Sequence, residues 1–256
     1  GSGSVNLSNT PNQFTKEINL TASNVVLAAT NGVILGSSHV TGNMMITAAT
    51  GDIIQTAPLM VSGASSFNAA QGDVVLTQNN TLTQAVSIHA INTTLNTTSS
   101  LILGASTLTG NLVATVASGD ITQTGPLVVT GTSTITAATG NITLTDEGNS
   151  FTDRVSVETP QALKLTASGA LSMGEVNVGS TTDLQSHGQL DLGTNAIYNG
   201  KLTAKSGGFE IKQSGPLKAG KDVDFDAGSA KIDLFNPKNL WFGALFFKGG
   251  IIMINH

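Results

Sequence analysis

Apolar and polar residues alternate along this chain in short runs, each set off by Gly, Asn, Asp or Ser. Such runs follow Gly32 (VIL), Gly51 (DII), Gly72 (DVVL), Ser100 (LIL), Gly119 (DIT) and Gly140 (NIT), at spacings of 19, 21, 28, 19 and 21 residues. Alternation over three to five positions sends successive side chains to opposite faces of a β-strand. No window keeps a 3.6-residue apolar period, so helices are not expected. In GDITQTGPLVVTG (119–131) the pattern points Ile121, Leu127 and Val129 into a core and Asp120, Thr122, Val128 and Thr130 outward. Pro126 falls at the corner between two runs, where a missing N–H costs least. Gln123 shares the parity of Ile121. It and its counterparts Gln55 and Gln213 are expected to lean inward and bond the backbone groups of the corner.

The runs belong to a longer period. ILGSSHVTGNMMITAATGDIIQTAPLMVSG (34–63) aligns without a gap on ILGASTLTGNLVATVASGDITQTGPLVVTG (102–131), 68 residues later. A third unit begins at Asn141, and its NSFTDRVSV (149–157) echoes NQFTKEINL (12–20) and NTLTQAVSI (80–88). Self-similarity of this length signals a repeat architecture. A beat near 20 residues with three short runs predicts an all-β fold, a right-handed parallel β-helix with about 20 residues and three short strands per coil. The 68-residue unit then reads as three coils, one carrying an excursion of about eight residues around the NxFT phrase. Gly110 and its counterpart Gly200 lie 90 residues apart, so the third unit carries one extra coil. Roughly eleven coils would make a rod about 50 Å long. A β-propeller needs blades of about 40 residues and four antiparallel strands, and a one-coil insertion argues against it.

Composition narrows the function. The formal net charge is −5, and 11% of residues are charged. No basic patch is present to release counterions from phosphate, so a nucleic-acid partner is not expected. Cysteine is absent, which removes disulfides and thiolate metal sites and leaves stability to the backbone ladder and the core. Residues 1–4 (GSGS) read as an appended tag remnant, and the rest as an excised piece of a longer protein that starts inside a repeat. Residues 5–235 read as one solenoid domain.

The combined motif NxFTxxVxLTA, then LxLGxSxxxGNLxxTAxGxITQTGPLxVxGTSTxxAxxGNITLT, resembles the repeats of filamentous-haemagglutinin-like adhesins, the exoproteins of Gram-negative two-partner secretion. The resemblance covers about residues 5–235. It implies a right-handed parallel β-helix exported to the cell surface through an outer-membrane secretion partner. It also implies a stalk or adhesive role toward host cells, other bacteria or matrix, with a surface receptor or glycan as partner. It brings no catalytic residue and no cofactor.

Candidate sites are few. An enzyme is not expected: Arg154 is the only arginine, and His39, His89, His187 and His256 are far apart in sequence. A polysaccharide-active β-helix enzyme would have to rely on acids such as Asp222 and Asp224. Asp222, Asp224 and Asp226 (DVDFD) share one strand face with carboxylates suited to calcium, but an acidic solvated face is the commoner reason for such a pattern, and no metal is expected. The loops near 9–15, 78–83 and 146–152 recur every third coil and offer a glycan- or receptor-binding side if they align. Segment 236–256 differs in kind: it holds the sole Trp and three of the nine Phe. It reads as an aromatic C-terminal cap over the last coil or as an association surface, with Trp241, Phe242, Phe246 and Phe247 as its residues. Its apolar run is too short and too interrupted for membrane insertion to be expected.

Overall fold

The computed structural model describes residues 3–9 and 12–255; Gly1, Ser2, Thr10 and Pro11 (the latter two within the 9–15 loop) and His256 lie outside them. Among these residues all regular structure is β-strand. The strands stack in parallel as a β-solenoid of about 12 turns with roughly 20 residues each. At ~4.8 Å per turn the stack is about 58 Å long. Alternation along each run makes this fold: Ile121, Leu127 and Val129 are buried in the core while Val128, between the last two, is 38% exposed.

Each turn passes two faces. One takes a single straight strand; the other takes two short runs that meet at a corner. Straight strands Val25–Ala29, Met44–Ala48 and Ser65–Ala69 stack on face I, with Val25 opposite Met44 and Met44 opposite Ser65. Face II carries the bent strand Val33–Val40, then the pair Ile53–Gln55 and Leu59–Val61, then Val74–Leu82.

The faces then exchange roles. On face I the straight strand Val86–Ala90 is covered by the bent pair Leu101–Leu103 and Ser106–Leu108, with Val86 opposite Leu103 and His89 opposite Thr107. On face II the bent Val74–Leu82 is covered by the straight Thr93–Thr97. A second exchange reverses the first: the straight Val155–Thr159 on face II lies under the bent Leu171–Val178. Face I is straight again from Leu163–Ala167 onward.

From Ile18–Ala22 on face II to its equivalent Val86–Ala90 on face I the chain makes seven half-turns. The unit is therefore three and a half turns, where three coils are expected from the sequence. Most of the surplus in the 28-residue spacing is not an excursion but the half-turn that carries the chain to the other face. From Val155–Thr159 on face II to Leu245–Lys248 on face I it makes nine half-turns, one whole turn more.

The turn residues bind consecutive turns together. Gly51 and Gly119 adopt φ of 84° and 97°, a left-handed conformation that glycine takes without strain. An Asp or Asn at the corner accepts an N–H from the next turn. Asp73 N–H donates to Asp52 Oδ1 at 2.8 Å, Asn92 N–H to Asp73 Oδ1 at 2.9 Å and Asn111 N–H to Asn92 Oδ1 at 2.8 Å. These side chains extend the ladder through corners where the backbone alone would leave donors unpaired.

Candidate functional site

The most distinctive local chemistry lies where the faces exchange. Here a straight strand must cover a longer bent one. Thr93–Thr97 pairs through Leu95 with Leu76, then its next pairing joins Thr97 to Asn80, so residues 77–79 are looped out of register. The mismatch leaves backbone groups at the corner without ladder partners, and one buried amide supplies them. Asn80, 0% exposed, donates through Nδ2 to Leu76 O at 3.1 Å and Asn96 O at 3.0 Å. Its Oδ1 accepts from Leu59 N–H at 2.9 Å. Gln55 faces it with both amide atoms. Gln55 Nε2 donates to Asn80 Oδ1 at 2.9 Å and to Ala57 O at 2.7 Å, while Asn80 Nδ2 donates to Gln55 Oε1 at 2.9 Å.

This clasp occurs three times. Gln123 and Asn149 exchange amide bonds of 2.8 and 2.9 Å, and Asn149 Oδ1 accepts from Leu127 N–H at 2.9 Å. Gln213 and Asn239 exchange bonds of 2.8 Å each, and Asn239 Oδ1 accepts from Leu217 N–H at 3.0 Å. Asn12 makes the same donor contacts at an earlier exchange, where the straight Ile18–Ala22 lies under the bent Val33–Val40, to Leu7 O at 2.9 Å and Ala28 O at 3.1 Å. The inward Gln at the corner agrees with its parity in the sequence. Its Asn partner does not emerge from parity, although in all three pairs it stands 25 or 26 residues after the Gln (Gln55–Asn80, Gln123–Asn149, Gln213–Asn239). That fixed interval is the signal that would have found it.

Outside, a groove forms where the corner of a bent strand lies over a straight one. One of about 350 Å³ is lined by Thr134, Ser156, Glu158, Glu175 and Asn177. Another of about 320 Å³ is lined by Ser66, Ser87, His89, Thr107 and Val128 at the equivalent places one repeat earlier. The first lies on face II and the second on face I. The looped-out segments alternate in the same way: residues 77–79 on face II, 145–148 on face I. They do not line up along one side, as the three-coil reading expects, because each repeat ends half a turn out of phase with the last.

The DVDFD carboxylates are held by the fold. Asp222 Oδ1 accepts Ala244 N–H at 3.0 Å, the corner role described above. Asp226 accepts Gly228 N–H at 2.9 Å and Lys248 Nζ at 3.1 Å. The Gly228 hydrogen bond, with Lys248 second, holds its carboxyl below the usual range. Asp224 faces outward on Val223–Asp226. Among the described residues no three His, Cys, Asp or Glu side chains group as a metal site.

Within segment 236–256, residues 236–255 form a further turn of the stack. Leu240–Trp241, Leu245–Lys248 and Ile251–Ile254 pair in parallel with the turn before. It splits the four aromatic candidates two and two. Phe247 stacks on Phe225 with centroids 5.6 Å apart, Trp241 meets the same ring edge-on at 6.3 Å, and Trp241 Nε1 donates to Asn255 O at 3.0 Å. Phe242 and Phe246 point outward, 64% and 55% exposed.

An unbroken parallel ladder, a long repeat and a face exchange every repeat define the chain as a repeat-built β-solenoid. Its segments 22–89, 90–158 and 179–247 match a family described as repeats of unknown function (DUF5649), and the chain belongs to that family. Each match ends within the straight strand that follows an NxFT-type phrase. The stretch left between the second and third, 159–178, has the length of one turn. The family description names neither adhesion nor secretion. No curated protein and no solved structure matches the chain.

Proposed function

We propose that this chain is a rigid, non-catalytic structural and adhesive segment of a bacterial surface adhesin, secreted across the outer membrane of a Gram-negative cell and mediating attachment to host cells, other bacteria or matrix. The observation that carries the reading is the way the stack lengthens. One repeat unit is longer than its predecessor by a whole turn, and the turns that follow stay paired in parallel without a register shift. A fold that extends by added turns holds a binding partner at a set distance from its anchor, the requirement of a stalk. The motif resemblance to filamentous-haemagglutinin-like repeats supports export and adhesion. Lack of cysteine suits folding that needs no oxidant after export.

Small-angle scattering tests the spacer part, with an elongated particle of about 58 Å contour expected. Beads coated with the chain test the adhesive part against bacterial and host cells. Attachment above uncoated beads supports it, and coated beads that bind no cell type overturn it. A second reading is favoured by the exchange grooves, whose hydroxyl, amide and carboxylate linings suit the hydroxyl groups of a neutral glycan. Glycan-array binding lost on Ser156→Leu with Asn177→Leu would select it over a spacer without a ligand.

A further inference from the structure

The two exchange grooves are built alike and face apart. Each is lined by outward side chains of four consecutive turns, with Thr134, Ser156, Asn177 and Ile197 on face II and Ser66, Ser87, Thr107 and Val128 on face I. Ladder register stacks such side chains in columns along the rod: Glu158 lies between Thr136 and Asn177, and His89 between Asn68 and Thr107. Four turns make each groove about 14 Å long. A glycine stands at each bend. A Cβ at Gly104 would collide with Ser87 Oγ and one at Gly174 with Ser156 Oγ, so both hydroxyls owe their places in the groove to a missing side chain. Ser156 Oγ accepts Glu175 N–H at 3.2 Å, which leaves its own proton to donate to a ligand.

Charge narrows what the grooves can hold. From 18 to 145 the chain has no Lys, Arg or Glu, and Asp52, Asp73 and Asp120, its three Asp there, each accept a backbone N–H at a corner. The face I groove lies inside this stretch, and among the described residues no Lys or Arg lines the face II groove either. An anionic polymer would meet Glu158 and Glu175 on face II, and a cationic one would find no counter-charge on face I. A polymer that fits both is uncharged and rich in hydroxyls. A second copy of the chain fits poorly. A groove one strand wide and about 14 Å long offers far less than the ~800 Å² per partner of a standard interface.

We propose that one chain bridges two strands of a neutral polysaccharide, holding one in the groove of each face. The bridge rests on the glycan reading of these grooves and adds its geometry. A repeat of three and a half turns places successive grooves on opposite faces and about 17 Å apart along the rod. One straight strand therefore cannot occupy both, and each groove is left to a strand of its own. A strand lying along the columns presents hydroxyls to Ser156 and Asn177 on one face, and to Ser87 and Thr107 on the other. When both strands belong to one matrix the two grooves act together, and avidity exceeds the affinity of either.

Beads coated with mannan, dextran or galactan test the bridge. The 256-residue chain should bind at least one coat and agglutinate those beads. Thr134→Leu with Asn177→Leu fills the face II groove, and Ser66→Leu with Thr107→Leu fills the one on face I. Apolar side chains already stand beside two of these positions, Val113 next to Thr134 and Met45 next to Ser66, and Ser87 and Ser156 stay in place. Either pair alone should keep binding to the coat and abolish agglutination. Both pairs together should lower binding at least tenfold, with far-UV circular dichroism and melting unchanged. Agglutination that survives the filling of one groove overturns the bridge and leaves the glycan reading standing, as does binding of the native chain without agglutination. No binding to any coat overturns both. A dimer of the chain in glycan-free light scattering, with agglutination that follows it, would assign the bridging to a second copy instead.

Discussion

Ser65, Thr93, Ser133 and Thr182 each open a straight strand from an inward position, and their hydroxyls are buried without a hydrogen-bond partner. Their ladder neighbours are apolar: Thr93 lies between Val74 and Leu112, and Thr182 between Leu163 and Leu202. A buried unpaired hydroxyl costs ~1–3 kcal/mol relative to one that keeps a partner. Valine has nearly the same shape, so Thr93→Val and Thr182→Val should each stabilise the fold by about 1 kcal/mol. Urea denaturation checks this, and a loss of stability in both would show that the hydroxyls are satisfied after all. At this scale the sequence is highly legible. Parity places Ile121, Leu127 and Val129 inward without a structure. It cannot say whether a buried hydroxyl finds a partner, because that depends on the turns above and below.

Between elements, the Gln–Asn clasp is the device that makes the face exchange affordable in hydrogen bonds. A straight strand covering a bent one skips residues, and each skip strands carbonyls and an N–H inside the wall. Asn149→Ala would orphan Leu127 N–H, Leu144 O and Thr166 O together, all now served by one side chain at 2.9, 3.3 and 3.2 Å. At a buried position this should cost about 2–4 kcal/mol. Gln123→Ala should cost less, about 1–2 kcal/mol, because Asn149 keeps its backbone bonds. The double variant should fall short of the sum by 0.5 kcal/mol or more, roughly the coupling of contacting residues. Strict additivity in chemical denaturation would sink the clasp as a unit. The Gln half of the clasp was readable because it sits on an alternating run. The Asn half was hidden because the skipped residues reset the alternation, so its phrase looked like a loop. For the same reason the grooves outside the clasp were not foreseen. They arise from the mismatch between a corner and a straight strand, and no single run encodes that.

For the whole molecule, turn length was legible and turn number per repeat was not. Spacings of 19 to 21 residues between like runs give the solenoid directly. A half-turn, however, leaves every run alternating as before, and only the strand pairing reveals which face it occupies. The half-turn also sets a rule for editing the molecule. Since straight must cover bent and bent must cover straight at fixed places, only whole turns can be added or removed. Residues 157, 158 and 159 stand opposite 176, 177 and 178, so deleting 159–177 joins Glu158 to Val178 in register. The bent run Leu190–Asp191 with Asn195–Tyr198 then lies over Val155 as Leu171–Val178 did. The shortened chain should remain β-rich, melt cooperatively and lose about 4.8 Å of contour in small-angle scattering. Deleting only 159–168, close to half a turn, should lay the bent Leu171–Val178 over the bent run that holds Asn149 and remove Thr166, whose carbonyl Asn149 serves at 3.2 Å, so that the Gln123–Asn149 corner is stranded. That chain should lose its cooperative melt or aggregate. If both deletions fold equally well, the exchange of faces does not govern this architecture.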